Sequence, residues 1–499
     1  MYGDRHVHDA PDDIAEEMVP MSSPAQAQTL NPKVVGISIA AAVGGFLFGF
    51  DTSVINGAVG ALSDEFSLGA GLTGFAVSSA LLGCAVGAWF AGGLANRFGR
   101  IPVMIIAAIL FFVSAIGSGL AFGVWDLIIW RVVGGLGVGA ASVIAPAYIA
   151  EVAPARFRGR LGSLQQLAIV LGIFAALLSN ALIANTAGGA AESYWLGVAA
   201  WRWMFMIEAA PAAVYGVMAL FLPESPRYLI GKGETDKASK VLYDFTGELD
   251  VNLKIEQIRH SLEREQKESL RDLLGGRFGL QPIVWLGIAL SLFQQLVGIN
   301  VIFYYSTTLW QSVGFDESQA LLTSTITSVM NIVATILAIL LVDKVGRRIM
   351  LLVGSAGMTV SLGLMAFAFS FGQVTGGDTV SLDQPWSGLA LVGANAFVMF
   401  FGTTWGPLVW VLLGEIFPNR IRASALAVAA AAQWAANFAV STTFPALSEI
   451  GLTFAYGLYA AFALLSFVFV YLQVPETKDR ELEDMDDLQL GRADKSRSS

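Results

Sequence analysis

Asp51 places a carboxylate inside the run Gly44–Gly57 (GGFLFGFDTSVING), about eighteen residues past Lys33 with no other acid between. An ionised carboxylate in hydrocarbon is costly unless it is paired, hydrated or protonated, so an acid here is a functional candidate by default. Arg131, just before the run GGLGVG, supplies a second charge in an apolar segment, and Glu208 a third. A buried arginine stays charged, whereas an aspartate can neutralise by taking a proton. Pairing with Arg131 would keep Asp51 ionised, and separating the two would favour protonation. The chemistry on offer is therefore reversible proton binding. Two plainer roles compete with it. Asp51 would cap a helix end near a surface, with Thr52, Ser53 and Asn56 beside it, or the pair would be a permanent staple between helices.

Other chemistries find little support. Cys84 is the only cysteine, which excludes a disulfide framework and a cysteine-ligated metal site. His6, His8 and His260 all lie outside apolar segments, so histidine serves neither an intramembrane relay nor a metal there. The glycines Gly134, Gly135, Gly137 and Gly139 follow no strand and precede no dinucleotide-binding acid, so they read as close helix packing. No nucleophile–base pair is evident. Neither an enzyme nor a bound cofactor or metal is expected, and a proton gradient would be the driving force.

The elements that hold these charges are membrane spans. Hydrophobic residues make up 55% of the chain and charged residues 14%, with a mean hydropathy of +0.64; soluble chains carry about 25% charge. Twelve apolar segments stand at 33–58, 70–95, 101–122, 125–150, 160–185, 203–222, 281–310, 318–342, 349–371, 387–414, 422–447 and 452–474. Each is long enough as a helix to cross about 30 Å of hydrocarbon. One set of alternating loops holds Arg97, Arg100, Arg156, Arg158, Arg160, Lys344, Arg347, Arg348, Arg420 and Arg422. The other holds Asp64, Glu65, Asp316, Asp378 and Asp383, with Arg202 almost alone as a cation. The positive-inside rule puts both termini in the cytoplasm. The net charge of −10 comes mostly from the tails and the central loop and reads as solvation, with no nucleic-acid partner.

The expected organisation is a disordered cytoplasmic tail at 1–32, six spans in 33–222, a cytoplasmic helical linker at 223–280, six spans in 281–474, and a tail at 475–499. The halves echo one another. NRFGR (Asn96–Arg100) matches DKVGRR (Asp343–Arg348). Glu151 with Arg158 seven residues on matches Glu415 with Arg422. Pro223-Glu224-Ser225 matches Pro475-Glu476-Thr477. Three paired motifs in one order point to duplication, with a binding site between the halves and alternating access.

With NRFGR, Arg131 before GGLGVG, AEVAPARFRGR, PESPRYL, FQQLVGINVIFYY, VDKVGRR, WGPLVWVLLGEIFP and PETK in order, residues 33–480 resemble the sugar porter family of the major facilitator superfamily. Within it the pattern is similar to that of the bacterial xylose–proton and glucose–proton symporters. The resemblance implies an all-α membrane protein with the twelve-helix fold of that superfamily. It also implies a multi-pass, monomeric carrier in the bacterial plasma membrane. Asp51 would couple transport to protons, since passive relatives have Asn there; Arg131 and Glu208 would be its partners. A sugar needs amides that donate and accept together, plus an aromatic plate. The segments offer Gln165, Gln166, Gln294, Gln295, Asn300, Asn331, Gln433 and Asn437. By resemblance Gln166, Gln294, Gln295, Asn300, Asn331, Trp410 and Gln433 contact sugar, with Tyr304 and Trp434 beside them. A chain break at Gly406-Pro407 would free carbonyls nearby.

Three departures qualify the likeness. Ile173 stands where xylose carriers have Gln, Gly402 where passive facilitators have Glu, and Asn96 where the loop motif has Asp. The charges Arg97, Glu151, Arg158, Glu224, Arg347, Glu415 and Arg422 form an expected cytoplasmic latch, set against the simpler view that they only mark orientation. The expectation is thus proton-coupled symport of a monosaccharide, a hexose such as glucose. Passive uniport and proton-coupled carriage of a polyol such as inositol are the alternatives. A sugar sensor would want a longer signalling tail, and a drug–proton antiporter a Gly-Pro motif in the fifth segment.

Overall fold

The computed structural model describes residues 31–153, 158–246, 250–264, 270–275, 279–374, 380–418 and 421–477. Most of both tails, and the side chain of Arg158, lie outside the described residues. Within them twelve helical spans are long and apolar enough to cross a membrane. The first half holds α1 (Pro32–Glu65), α2 (Ala70–Phe98), α3 (Arg100–Gly119), α4 (Val124–Val152), α5 (Arg158–Ala187), and a sixth span divided into α6 (Ala200–Met206) and α7 (Ala209–Leu220). Short helices α8 (Pro226–Gly231), α9 (Thr235–Val241) and α10 (Val251–Arg264) follow. They share a small apolar core around Leu229, Ile230, Ala238, Val241 and Ile255.

The second half begins with a divided span, α11 (Pro282–Leu296) and α12 (Ile299–Ser312). Then come α13 (Glu317–Val345), α14 (Arg347–Phe369), a divided tenth span of α15 (Trp386–Thr403) and α16 (Trp405–Ile416), α17 (Arg422–Ile450) and α18 (Leu452–Gln473). A two-residue hairpin, β1 (Gln373–Val374) against β2 (Val380–Ser381), decorates the loop before α15. Several spans outrun their apolar segments; α1 continues to Glu65, since polar residues extend a helix once its hydrogen-bond ladder is running. Asp51 is therefore mid-helix, which rules out a helix-capping role for it.

The duplication has a concrete form. Gly99 and Gly346 turn the chain at φ +104° and +101° between the second and third spans of each half. A carboxylate from the end of the same half then caps the next helix. Glu224 accepts from the backbone N–H of Arg100 (3.0 Å) and Ile101 (3.2 Å), and Glu476 from those of Arg347 (2.9 Å) and Arg348 (3.1 Å). Orphan N–H groups and the positive helix terminus both favour an acid there.

Between α2 and α4 the glycines are structural. A Cβ on Gly83, Gly87, Gly135 or Gly139 would strike the backbone carbonyl of Val132, Leu136, Ala80 or Cys84 on the facing helix. In lipid no hydrophobic force draws helices together, so close backbone contact of this kind carries the association. The two halves meet along α1 with α12, α2 with α17 and α5 with α13.

With an even number of spans, α1 begins and α18 ends on one face, the terminal face; the other is the far face. Arg202, the cation expected on the far face, is tied there by Glu65 and by the carbonyls of Gly119 and Ala121. Gly135→Val is expected to abolish monodisperse folded protein in detergent. Gly92→Val, where no atom lies within 4 Å of the new carbon, should purify like the parent. Size-exclusion profiles of the two variants decide the matter.

Candidate functional site

Arg131 donates Nη1 to Asp51 Oδ1 at 3.2 Å and to the Asp51 carbonyl at 3.1 Å. Both residues are 2% exposed. The guanidinium also lies over the Phe205 ring, 5.7 Å from its centroid. α1 and α4 run in opposite directions and bring the two charges to one level, close enough for direct contact. Glu208 sits where the sixth span is interrupted, between α6 and α7, and is equally buried. Asp51 Oδ2, Arg131 Nε and Glu208 Oε1 have no hydrogen-bond partner among the described residues. Leaving one member of such a pair alone in the interior costs about 3–5 kcal/mol. A group that can shed its charge is the natural point of release.

The amides of the second half form a connected set. Gln294 donates Nε2 to the carbonyls of both Trp405 and Gly406, at 3.0 Å each. The tenth span is interrupted at Thr404 (φ −125°, ψ −86°), two residues before the expected Gly406-Pro407 break. Asn300 donates to Gln295 Oε1 at 2.6 Å across the interruption of the seventh span, where Gly298 takes φ +81°. Tyr304 pairs with the Asn437 side chain. Asn331 lies beside Gly402, where a Cβ would come within 2.8 Å of Ala334 and 3.0 Å of Asn331 Oδ1. A glutamate has no room at that place.

Gln433 keeps a buried Oε1 with no hydrogen-bond partner among the described residues. Trp434 reaches Phe48 of the first half, ring centroids 5.8 Å apart. Gln166 is half-buried on α5 and makes no hydrogen bond among the described residues, while its neighbour Gln165 is buried against Gly45 of α1. Trp410 is 42% exposed.

Hydrogen bonds between the halves gather toward the far face. Asn56, 1% exposed, uses its whole amide there. It donates to the Phe303 carbonyl (2.8 Å) and Ser306 Oγ (2.9 Å), and accepts from the N–H (3.1 Å) and hydroxyl of Thr307. Ser78 and Thr442 join at 2.7 Å, and the Ala190 N–H donates to Glu317 at 2.9 Å. The residues of the Asn56 clasp were absent from the sequence-based set. The signal for them was a lone asparagine in an apolar run, opposite a Ser-Thr pair on the divided span.

Among the described residues the charges of the expected latch pair within each half, the side chain of Arg158 lying outside them. Glu151 binds Arg100 at 2.7 Å and Glu415 binds Arg347 at 2.8 Å, each within its own half. Glu224 holds backbone N–H groups, as described above. Arg97 is exposed over the Phe98 ring, and Arg422 donates to the Phe417 carbonyl of its own turn. Arg100, the repeat counterpart of Arg347, takes the place expected of Arg97, because the Gly99 turn points the following residue back toward α4.

Two six-span halves, a buried ion pair in one and connected amides in the other, define a membrane transporter. The chain belongs to the sugar transporter family: residues 37–488 match the family model described as sugar (and other) transporter. It is 57% identical over 471 residues to a glucose transport protein of Synechocystis, spanning 94% of this chain and 100% of that one. It is 38% identical over 488 residues to the D-xylose-proton symporter of Escherichia coli K12, spanning 91% and 95%. Among solved structures, the inward open conformation of the xylose transporter XylE from E. coli aligns with TM-score 0.77 at 36% identity, over 91% of this chain and 99% of that one. The same proton:xylose symporter bound to 6-bromo-6-deoxy-D-glucose gives 0.74, also at 36% identity and over the same shares. The expected major facilitator fold is borne out, and the chain is a multi-pass transporter.

Asn56→Ala should loosen the far face by about 1–3 kcal/mol, the usual cost of stranding buried polar partners. In a variant lacking Cys84 and carrying Ser78→Cys as reporter, a membrane-impermeant maleimide should then label from the far side roughly tenfold faster. An unchanged rate would show that the clasp does not hold the halves together.

Proposed function

We propose that this chain carries a monosaccharide, a hexose such as glucose, together with a proton by alternating access. The observation that carries the reading is the Asp51–Arg131 contact, a neutralisable acid beside a permanent cation inside one half. A passive carrier has no use for an acid that must be paired or protonated in hydrocarbon. The relatives support the cargo: a glucose transport protein at 57% identity and a xylose–proton symporter at 38%. Ile173 lies where α5 packs closely against Gly49 of α1 and brings no hydrogen-bonding group there, which favours a hexose over xylose.

The cationic loops support a terminal face, and with it both termini, on the cytoplasmic side of a plasma membrane. The far face, closed by Asn56 and the Ser78–Thr442 contact, is then the outer one, and the described state opens inward. Gln294, Gln295, Asn300, Tyr304, Asn331, Gln433 and Trp434 bind the sugar, with Gln166 and Trp410 joining from the walls. Glu208 shares the proton site. The pairs Arg100–Glu151 and Arg347–Glu415 keep each half rigid at its inner end while the halves rock, and the transporter works as a monomer. The linker at 223–280 is cytoplasmic and braces the start of α1, where Lys33 lies over the Phe245 ring.

Asp51→Asn is expected to abolish gradient-driven accumulation in proteoliposomes while sparing sugar counterflow. Accumulation against a gradient by the Asn variant would remove Asp51 from coupling. Gln295→Ala should weaken sugar binding by about 1–3 kcal/mol. A dissociation constant equal to the parent's, measured by calorimetry on purified protein, would take the seventh span out of the binding site.

A further inference from the structure

Asp51 meets α4 at a turn that has no side chain. Gly134 is one turn past Arg131 on the same face of α4. A Cβ on Gly134 would fall inside contact distance of Ser114 Oγ and lie 3.5 Å from Asp51 Oδ1. That oxygen is the one Arg131 holds. Ser114 crosses to α4 over the same bare turn, donating Oγ to the Trp130 carbonyl at 2.8 Å. Three helices thus converge on one glycine: α1 through Asp51, α3 through Ser114, and α4 itself. The reach of Arg131 to Asp51 is a single guanidinium nitrogen shared between the carboxylate and the Asp51 carbonyl. A contact at 3.2 Å on one nitrogen weakens with a shift of a few tenths of an ångström, near the outer limit of such bonds.

We propose that Gly134 is a positioning residue of the proton site: its bare turn avoids a collision with Ser114 that would push α4 away from α1, and so preserves the Asp51–Arg131 contact. The proposal rests on the reading of that pair as the coupling site. A methyl at 134 collides first with Ser114, and the helices must spread to admit it. α4 carries Arg131 with it, away from α1. The amides and aromatic rings in the second half are untouched by this movement. Gly134 then affects coupling without affecting sugar recognition, which distinguishes it from the packing glycines Gly135 and Gly139 on the α2 side of α4.

The test uses the full chain in proteoliposomes, with labelled glucose, reading accumulation under an inward proton gradient and gradient-free exchange separately. If the parent fails to accumulate sugar under the gradient, the functional reading itself is wrong. If the parent accumulates, Gly134→Ala is expected to lower the accumulation ratio about tenfold, within the usual range of coupling energies, and to keep exchange. Ser114→Ala alone should accumulate like the parent. Combined with Gly134→Ala it should restore most of the accumulation, because it removes the Oγ that the new methyl strikes and leaves only the Ser114 Cβ, at 3.1 Å. Parent-like accumulation by Gly134→Ala, loss of exchange along with accumulation, or no rescue by Ser114→Ala would each overturn the proposal.

Discussion

A guanidinium and a carboxylate lie side by side between α1 and α4, both almost wholly buried. Each is tolerable there only because of the other, and the surrounding helices are arranged to keep it so. α1 runs unbroken through Asp51, so the carboxylate is carried by a rigid element and not by a loop. α4 brings Arg131 to the same level and lays its guanidinium over Phe205. The sixth span breaks at Glu208, which adds a further acid to the same interior. Arg131 cannot lose its charge, so any movement that parts the pair transfers the whole cost to Asp51. A proton is the cheapest remedy available to the carboxylate.

Each half is stiffened by the same device. A left-handed glycine turns the chain, a carboxylate from the end of that half caps the helix that follows, and an arginine from that helix reaches the acid of the fourth or tenth span. In the second half Thr477 also donates to Glu415, which links the two acids of that half. These bonds stay within a half, so relative rotation of the halves leaves them intact. That is the mechanical requirement for rocking two rigid bodies about a central site.

What joins the halves is of a different kind. Toward the far face the contacts are polar and close: the Asn56 amide, the Ser78–Thr442 pair, and Gly74 laid against the Thr442 carbonyl. Deeper in, Phe48 and Trp434 face each other across the interface. The Asn56 clasp ends on α12, one part of a divided span whose other part carries Gln294 and Gln295. Asp51 in the first half and Asn300 in the second therefore stand on helices, α1 and α12, that Asn56 joins directly.

Spans, duplication and the buried charges were legible in the sequence, because each depends on residue type alone. An apolar run long enough for the bilayer has few alternatives to a helix, and Asp51, Arg131 and Glu208 are conspicuous inside such runs. The glycines of α4 announced close packing but not with which helix, and only the fold assigns Gly135 and Gly139 to α2 and Gly134 to Ser114 and Asp51. Charge partners were hidden for the same reason. The repeated Glu-and-Arg spacings marked these charges without naming their partners, and the turns at Gly99 and Gly346 bring Arg100 to Glu151 and Arg347 to Glu415, while Glu224 goes to backbone N–H groups. The Asn56 clasp joins residues about 250 positions apart, a distance over which no local periodicity carries information. Sequence determined what must be buried; tertiary structure decided what each buried group would meet, because partners in a bundle are set by helix rotation and depth and not by order along the chain.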